Sequence, residues 1–514
     1  MDTILILDFG GQTCQLIGRR LREGGYYSEI APHDVRLDAG RLAHVKGIIL
    51  SGSPYSVYEP DAPNVDPALF DSGLPILGIC YGFQLITHLF GGRVEGLRVK
   101  EYGKVPLTLK PGNPLFEGVT SGFDSWMSHG YSIAALAPGY QITAMSDNHP
   151  AAAWNPEKRI WGIQFHPETS HNQFGNQILW NFATLCGAAR EWTLDKVLEL
   201  ERDKIRRRVG NQKVLLLISG GVDSTVAGAM LLNILQPDQV HLMYVDTGLM
   251  RKNETVEVSA ALRKLGAKHL HLIDAQERFL GALKGLTDPE AKRKAIGDTF
   301  IRVQEDEVAG LGLSDYFLAQ GTLYTDLIES GKGVGKKAHV IKSHHNVGTP
   351  LVEAKRAAGL IIEPLEMLYK DEVRALGEKL GVAESIVWRH PFPGPGLGIR
   401  VLGEVTREKC DILREADWIY LDELKKRGLY REIWQAFSVL LPVRSVGVTG
   451  DARDYGFVLA LRAVVSKDGM SADVYPFPMK DLLEISSLIT NQVRAVGRVT
   501  YDISSKPPST IEWE

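Results

Sequence analysis

Residues 213–231 read KVLLLISGGVDSTVAGAML, and they set out a strand, a glycine turn and a helix of an α/β layer in a single line. Val214–Ile218 is an unbroken apolar run, the mark of a strand buried on both faces of a parallel sheet. Ser219, Gly220 and Gly221 then turn the chain with almost no side chain in the way, so that backbone N–H groups can crowd an anion. Val222, Asp223, Ser224 and Thr225 open a helix whose N-terminal dipole favours the same anion. No Lys-Ser/Thr pair follows a G-x-x-x-x-G, which excludes a Walker A loop.

Downstream, Val240–Val245, His269–Ile273 and Tyr316–Ala319 read as further strands with helical patterns between them, so the sheet should be mostly parallel. Asp246 follows the first of these runs, placed either as a nucleotide contact or as a sheet-rim residue without a role. Residues 331–348, GKGVGKKAHVIKSHHNVG, read as a lid whose cations meet phosphates, the bland alternative being a solvated loop. Upstream, Leu194–Val209 has one apolar and one charged face, and its Arg206–Arg208 run is best read as a solvated helix end. At 390–400 the sequence becomes HPFPGPGLGIR, too rich in Pro and Gly for a helix or a central strand. A boundary is placed there, with Gly456–Val465 strand-like beyond it.

The first ~190 residues alternate apolar runs and amphipathic stretches, again as a layered α/β unit. Thr3–Leu7, Gly47–Leu50 and Pro75–Cys80 read as strands, Cys14–Glu23 and Tyr81–Phe90 as helices. In LPILGICYGFQL (74–85), Cys80 ends a buried strand and starts a helix, flanked by Gly78 and Gly82. Such an elbow exposes a strained nucleophile, and the helix N-terminus favours thiolate and offers N–H groups to an oxyanion. In IWGIQFHPET (160–169), His166 and Glu168 point the same way in an extended chain, roughly 7 Å apart. A carboxylate that orients an imidazole base completes a nucleophile–base–orienter triad. The competing reading, a metal held by His166, Glu168 and His171, matches no standard ligand spacing.

GICYGFQL with FHPE resembles the class I (triad) glutamine amidotransferases over roughly residues 1–190, and SGSP (51–54) resembles their oxyanion loop. The resemblance implies that Cys80 attacks a glutamine amide and that ammonia leaves a glutamyl thioester. It places Gly52 and Tyr81 at the oxyanion hole and Gln84 close to substrate. The chain departs from the pattern at Ser53, where a second Gly is usual, and at Tyr131, where Asp is usual. SGGVDS (219–224) resembles the PP-loop of ATP pyrophosphatases, which implies attack at the α-phosphate, ATP with Mg²⁺ as the substrate complex, and no prosthetic group or resident metal.

KRKAIGDTF (292–300), QGTLYTDLIES (320–330), IKSHHNVG (341–348), HPFPGPGLGIR and KPPSTIEWE (506–514) resemble the GMP synthase family along the whole chain. Thr325 stands where that family usually has Pro, and Thr349 where Gly is common. This likeness implies XMP as the molecule adenylated and then aminated, with Arg293, Lys506, Ile511 and Glu512 binding it. It implies three domains: a class I amidotransferase at 1–190, a parallel-sheet PP-loop (adenine nucleotide α-hydrolase-like) domain at 191–389, and a small α+β dimerisation domain at 390–514. A homodimer is expected on the same ground. Rival amidotransferase readings, such as a glutamine-dependent NAD synthetase, normally carry a different glutaminase.

Bulk properties agree with this outline. A chain of 514 residues exceeds one core, and a net charge of −4 gives no reason to expect nucleic acid or an anionic membrane as partner. The four cysteines, Cys14, Cys80, Cys186 and Cys410, are too scattered for a zinc cluster or a disulfide framework. No apolar run approaches the ~20 residues of a membrane helix, and no signal-peptide pattern opens the sequence. A reducing cytoplasmic setting is expected.

Overall fold

The structure, a computed structural model, describes all residues except 148, 170–171, 314, 330–348, 450–451 and 467–470. It falls into two compact units, Met1–Leu200 with Tyr324–Ser343, and Glu201–Leu323 with His344–Glu514. The segment 331–348, read above as a lid, lies outside the described residues, as does His171.

Among its described residues the first unit holds nine strands: β1 (Thr3–Asp8), β2 (Ser28–Pro32), β3 (Val45–Leu50), β4 (Ile76–Ile79), β5 (Arg93–Leu109), β6 (Phe123–Ala135), β7 (Gln141–Met145), β8 (Pro150–Asn155) and β9 (Ile160–Ile163). They form one sheet in the order β2-β1-β3-β4-β9-β8-β7-β5-β6. The half from β2 to β9 is parallel, and the half from β9 to β6 is antiparallel. Period-two alternation splits β1 between two cores. Ile4 and Ile6 pack with Ile17 and Leu21 of the helix Cys14–Glu23, while Leu5 and Leu7 pack with Phe83 and Ile86 of the helix Tyr81–Leu89. A parallel strand covered on both faces must be apolar at every position, and all four side chains are fully buried. The adjacent strands β3, β4 and β9 bring the loops at their carboxyl ends together. Ligands bind at that rim in open α/β sheets.

The second unit begins with a five-stranded parallel sheet of β10 (Val214–Ile218), β11 (Val240–Asp246), β12 (His269–Asp274), β13 (Phe317–Ala319) and β14 (Ile361–Ile362), ordered β12-β11-β10-β13-β14. Beyond it, β15 (Gln435–Thr449), β16 (Ala452–Val465) and β17 (Asp473–Val474) pair antiparallel, and β18 (Val496–Tyr501) joins β16 in parallel. One apolar cluster runs from Leu215 and Met243 through Leu397 and Leu413 to Leu459 and Ile489, so both sheets share a core. HPFPGPGLGIR bounds that core. It avoids α-helix and strand as expected, but holds a single 3₁₀ turn at Gly396–Ile399. Gly396 has φ +61°, and a Cβ there would lie 2.4 Å from the Leu249 carbonyl oxygen, so only glycine fits. Among the described residues no helix is long and apolar enough to cross a membrane.

Candidate active sites

At the end of β4 the backbone reverses so tightly that Cys80 takes φ 51°, a value non-glycine residues rarely adopt. Its neighbours explain how the turn closes. A Cβ on Gly78 would lie 2.6 Å from backbone atoms of Gly82 and Phe83, and one on Gly82 would lie 2.3 Å from the Leu50 carbonyl oxygen. The Cys80 N–H donates to the Ile163 carbonyl at 2.8 Å, which ties the elbow to β9. Directly after β9, His166 Nδ1 and Glu168 Oε1 are 2.7 Å apart, with Glu168 fully buried. Arg20 holds the Glu168 carbonyl at 3.1 Å, and the His166 N–H donates to the Trp126 carbonyl at 3.0 Å.

Burial lowers the His166 pKa, but the charges of Glu168 and Cys80, both hydrogen-bonded to the ring, outweigh it and hold the imidazole well above its ordinary range. The site is therefore built to stabilise an imidazolium beside the sulfur.

Gly52 stands over this pair: a Cβ added to it would meet His166 Cε1 at 3.1 Å and Cys80 Cβ at 3.8 Å. The loop is fixed from below, since Ser51 Oγ accepts from Phe9 N–H at 3.1 Å and Ser53 Oγ donates to the Phe9 carbonyl at 2.8 Å. Ser53 thus gains a bond that glycine lacks. Tyr81 contributes differently from Gly52, because its ring is buried and its hydroxyl donates to the Pro63 carbonyl at 2.6 Å. Only its main chain, at the first turn of the helix, is placed for an oxyanion. Gln84 is buried and its amide nitrogen donates to the Tyr131 carbonyl at 3.0 Å, so Tyr131 meets the site through its backbone while its side chain is partly exposed. Gln164, which the sequence reading passed over, points its amide at Cys80 Sγ at 3.6 Å.

In the second unit, the loop after β10 is held by its own hydroxyls. Ser224 Oγ accepts from Ser219 N–H at 3.1 Å, and Thr225 Oγ1 donates to the Gly221 carbonyl at 2.8 Å. Gly220 has φ +79°, and a Cβ there would sit 3.0 Å from Glu254 Oε1. The loop from Ser219 to Asp223 lines a cavity of about 350 Å³. Among the described residues, five basic side chains also line it (Arg251, Arg293, Lys370, Arg374 and Arg389) against two carboxylates, Asp223 and Glu254, with Ile218, Met250, Ile296 and Phe300 supplying apolar wall. That composition suits a polyanion joined to a flat apolar base. Lys370 Nζ lies 2.5 Å from the Asp223 carboxylate. Burial lowers the pKa of Arg251 and of Arg374, each against neighbouring carboxylates. Sequence reasoning missed Lys370 and Arg374, although their four-residue spacing in LYKDEVR puts both on one helix face.

Asp246 does not line the cavity. Its carboxylate accepts from Gly248 N–H at 2.9 Å and Thr255 Oγ1 at 2.8 Å, shaping the loop after β11. Of the four residues expected to bind a second substrate, Arg293 lines the cavity, and its Nη2 donates to the main-chain oxygen of Glu514 at 2.5 Å. Glu512 pairs with Arg400 Nη2 at 2.8 Å and Gln435 Nε2 at 2.8 Å. Ile511 is buried beside Phe437 and Val439, and Lys506 exchanges two backbone hydrogen bonds with Ala472. The structure therefore brings Arg293 and the 510–514 segment together, with Ile511 in the apolar cluster and Lys506 tied to Ala472 through its backbone.

Three family models match successive parts of the chain. Residues 5–186 match the family model described as glutamine amidotransferase class-I, 194–294 that of NAD synthase, and 422–513 that of the GMP synthase C terminal domain. A protein of Geobacillus kaustophilus named GMP synthase [glutamine-hydrolyzing] is 51% identical over 100% of this chain and 99% of its own length. Its namesake in Lactobacillus acidophilus is 51% identical over 100% of this chain and 98% of its own, and that of Listeria monocytogenes 49% identical over 100% and 99%.

Proposed function

The chain belongs to the glutamine-hydrolysing GMP synthases, and from that premise we propose that it converts XMP, ATP, glutamine and water to GMP, AMP, diphosphate and glutamate with the residues described above. The observation that carries the reading is the coexistence of two complete sites in one chain: the Cys80–His166–Glu168 line, and a cation-lined cavity on an SGGVDS loop.

In the first site the Cys80 sulfur attacks the glutamine amide carbon, and the N–H groups of the Gly52 loop and of Tyr81 receive the oxyanion. His166, held charged by Glu168, gives its proton to the departing ammonia. The thioester is then hydrolysed by water, with His166 taking the proton back. In the second site the PP-loop N–H groups, Lys370 and the arginines hold the phosphates of ATP. The C2 oxygen of XMP attacks the α-phosphorus, the bond to the β-phosphate breaks, and diphosphate leaves. Ammonia then attacks C2 and AMP departs. Mg²⁺ enters as part of the ATP complex. Asp223 at the loop is a fitting single carboxylate for it, since Mg²⁺ is usually held by one or two carboxylates and the phosphates themselves.

Arg293 is assigned to the XMP monophosphate, Lys506 and Glu512 to polar groups of XMP, and Ile511 to apolar support. Domain limits at 190 and 389, a cytoplasmic setting and a homodimer complete the reading. Rate assays with purified protein, ATP, Mg²⁺ and XMP test it: Cys80→Ala should abolish GMP formation from glutamine yet retain it from ammonium, and Asp223→Ala should abolish both. Loss of both activities in a folded Cys80→Ala protein would sink the two-site scheme.

A further inference from the structure

Lys292, in the first turn of the helix Pro289–Gly310, is fully buried, a rare state for a lysine. Its ammonium is met on three sides, by the Val401 carbonyl at 3.0 Å, the Gly403 carbonyl at 3.2 Å and the Glu514 carboxylate. It thereby joins three separate parts of the second unit: a helix that lines the nucleotide cavity, the chain just after the Pro- and Gly-rich cavity wall, and the segment 504–514. The next residue of the helix, Arg293, reaches the main-chain oxygen of the same Glu514.

The rest of that segment is gripped by buried cations at alternate residues. Thr510 gives its carbonyl to buried Arg462 at 3.2 Å, Glu512 its carboxylate to buried Arg400, and Glu514 its carboxylate to buried Lys292. Between them Ile511 is buried in apolar surroundings and Trp513 Nε1 donates to Asp502 at 3.0 Å. Thr510, Glu512 and Glu514 each meet a different buried cation from a different element.

Buried ion pairs are poor stabilisers, because desolvation of both charges offsets most of their attraction. Apolar residues in place of both Lys292 and Glu514 would pack as well. What three buried cations supply that apolar packing does not is a fixed position and register for the segment. We infer that Lys292 is a positioning residue: through Glu514 it fixes the 510–514 segment, and with it Glu512 and Arg293, in the geometry that receives the nucleotide to be aminated. This rests on the assignment of Arg293 and Glu512 to XMP made above.

The test uses the full-length protein with ammonium as nitrogen source, ATP saturating and XMP varied, for wild type, Lys292→Met, Lys292→Arg and Glu514→Gln. Lys292→Met and Glu514→Gln should raise the KM for XMP by about tenfold or more, with kcat and the KM for ATP changed much less, since only the position of the XMP groups is loosened. Lys292→Arg should recover most of the loss. Hydrogen exchange without substrate should show faster exchange of the 504–514 amides in Lys292→Met, whatever the substrate is. An unchanged KM for XMP in Glu514→Gln, or equal losses toward XMP and ATP, would overturn the inference, and Glu514→Gln decides the matter if Lys292→Met does not fold. Wild-type protein that exchanges as expected but leaves XMP untouched would instead overturn the substrate assignment.

Discussion

His166 concentrates the electrostatics of the first site in one ring. Burial alone would discharge it; the carboxylate 2.7 Å away and the neighbouring sulfur keep it protonated above its ordinary value of 6.5. Glu168→Gln removes the strongest raising influence and leaves the burial, so the imidazole should titrate at lower pH, visible in a histidine-selective NMR titration. Glutaminase kcat/KM near neutral pH should fall by roughly a hundredfold or more, because the base loses both its orientation and its charge stabilisation. The linkage has a definite sign. A raised folded-state pKa contributes stability that is fully present below the unfolded value of 6.5 and is lost as pH rises through the folded-state pKa. The advantage of wild type over Glu168→Gln in melting temperature should accordingly be largest at acid pH and shrink toward alkaline pH; a gap that widened with pH would contradict the account. Cys80, His166 and Glu168 were legible in sequence because glycine spacing and an His-x-Glu pair betray local geometry. Lys292 and Arg400 were not, because a charged letter reads as surface until the fold shows which carbonyls and carboxylates enclose it.

Among elements, the turn after β10 is where a minimal change should have the largest consequence. Gly220 adopts φ +79° and faces Glu254 at 3.0 Å from where a Cβ would be, so Gly220→Ala meets both backbone strain and a carboxylate. We expect a loss of about 1–3 kcal/mol in unfolding free energy and a collapse of GMP formation from either nitrogen donor, measured by denaturant titration and by rate. Lys370→Met leaves the loop intact but removes a cation from its mouth. It should lower kcat from glutamine and from ammonium alike, by about a hundredfold, while thermal stability stays near wild type, since the Lys370–Asp223 pair is partly solvated and such pairs contribute little. Elements with strong local periodicity were legible almost to the residue: Cys14–Glu23, Leu194–Val209 and Val214–Ile218 all form as read. The antiparallel half of the first sheet was not. β5 and β6 run 17 and 13 residues, with polar and apolar positions mixed, and the short β7 and β8, which continue the sheet from β5, declare themselves only through pairing. Asp246 is the same lesson in reverse: its place at a strand end suited a ligand contact and a rim residue alike, and only the fold shows its carboxylate accepting from Gly248 and Thr255.

At the scale of the whole molecule, the proposed homodimer needs a surface, and the β15–β16 hairpin supplies a candidate. Val443, Val446, Val448 and Tyr455 are each at least half exposed, and the register sets Val446 opposite Tyr455. Side chains two apart on a strand share a face, so Val446 and Val448 project together. Isolated exposed apolar residues are ordinary, but a cluster of valine and tyrosine on a long hairpin is the kind of surface that another subunit covers. Val446→Glu with Val448→Glu places two carboxylates in that patch. If the hairpin is the interface, each must be desolvated or must separate from its symmetry mate, at a cost that a standard interface cannot absorb. The double variant should therefore sediment as a monomer at concentrations where wild type sediments as a dimer. Glutamine hydrolysis belongs to the first unit and should persist. A double variant that remained dimeric would move the interface elsewhere; a wild type that was itself monomeric would remove the dimer from the proposal and leave both catalytic sites as described.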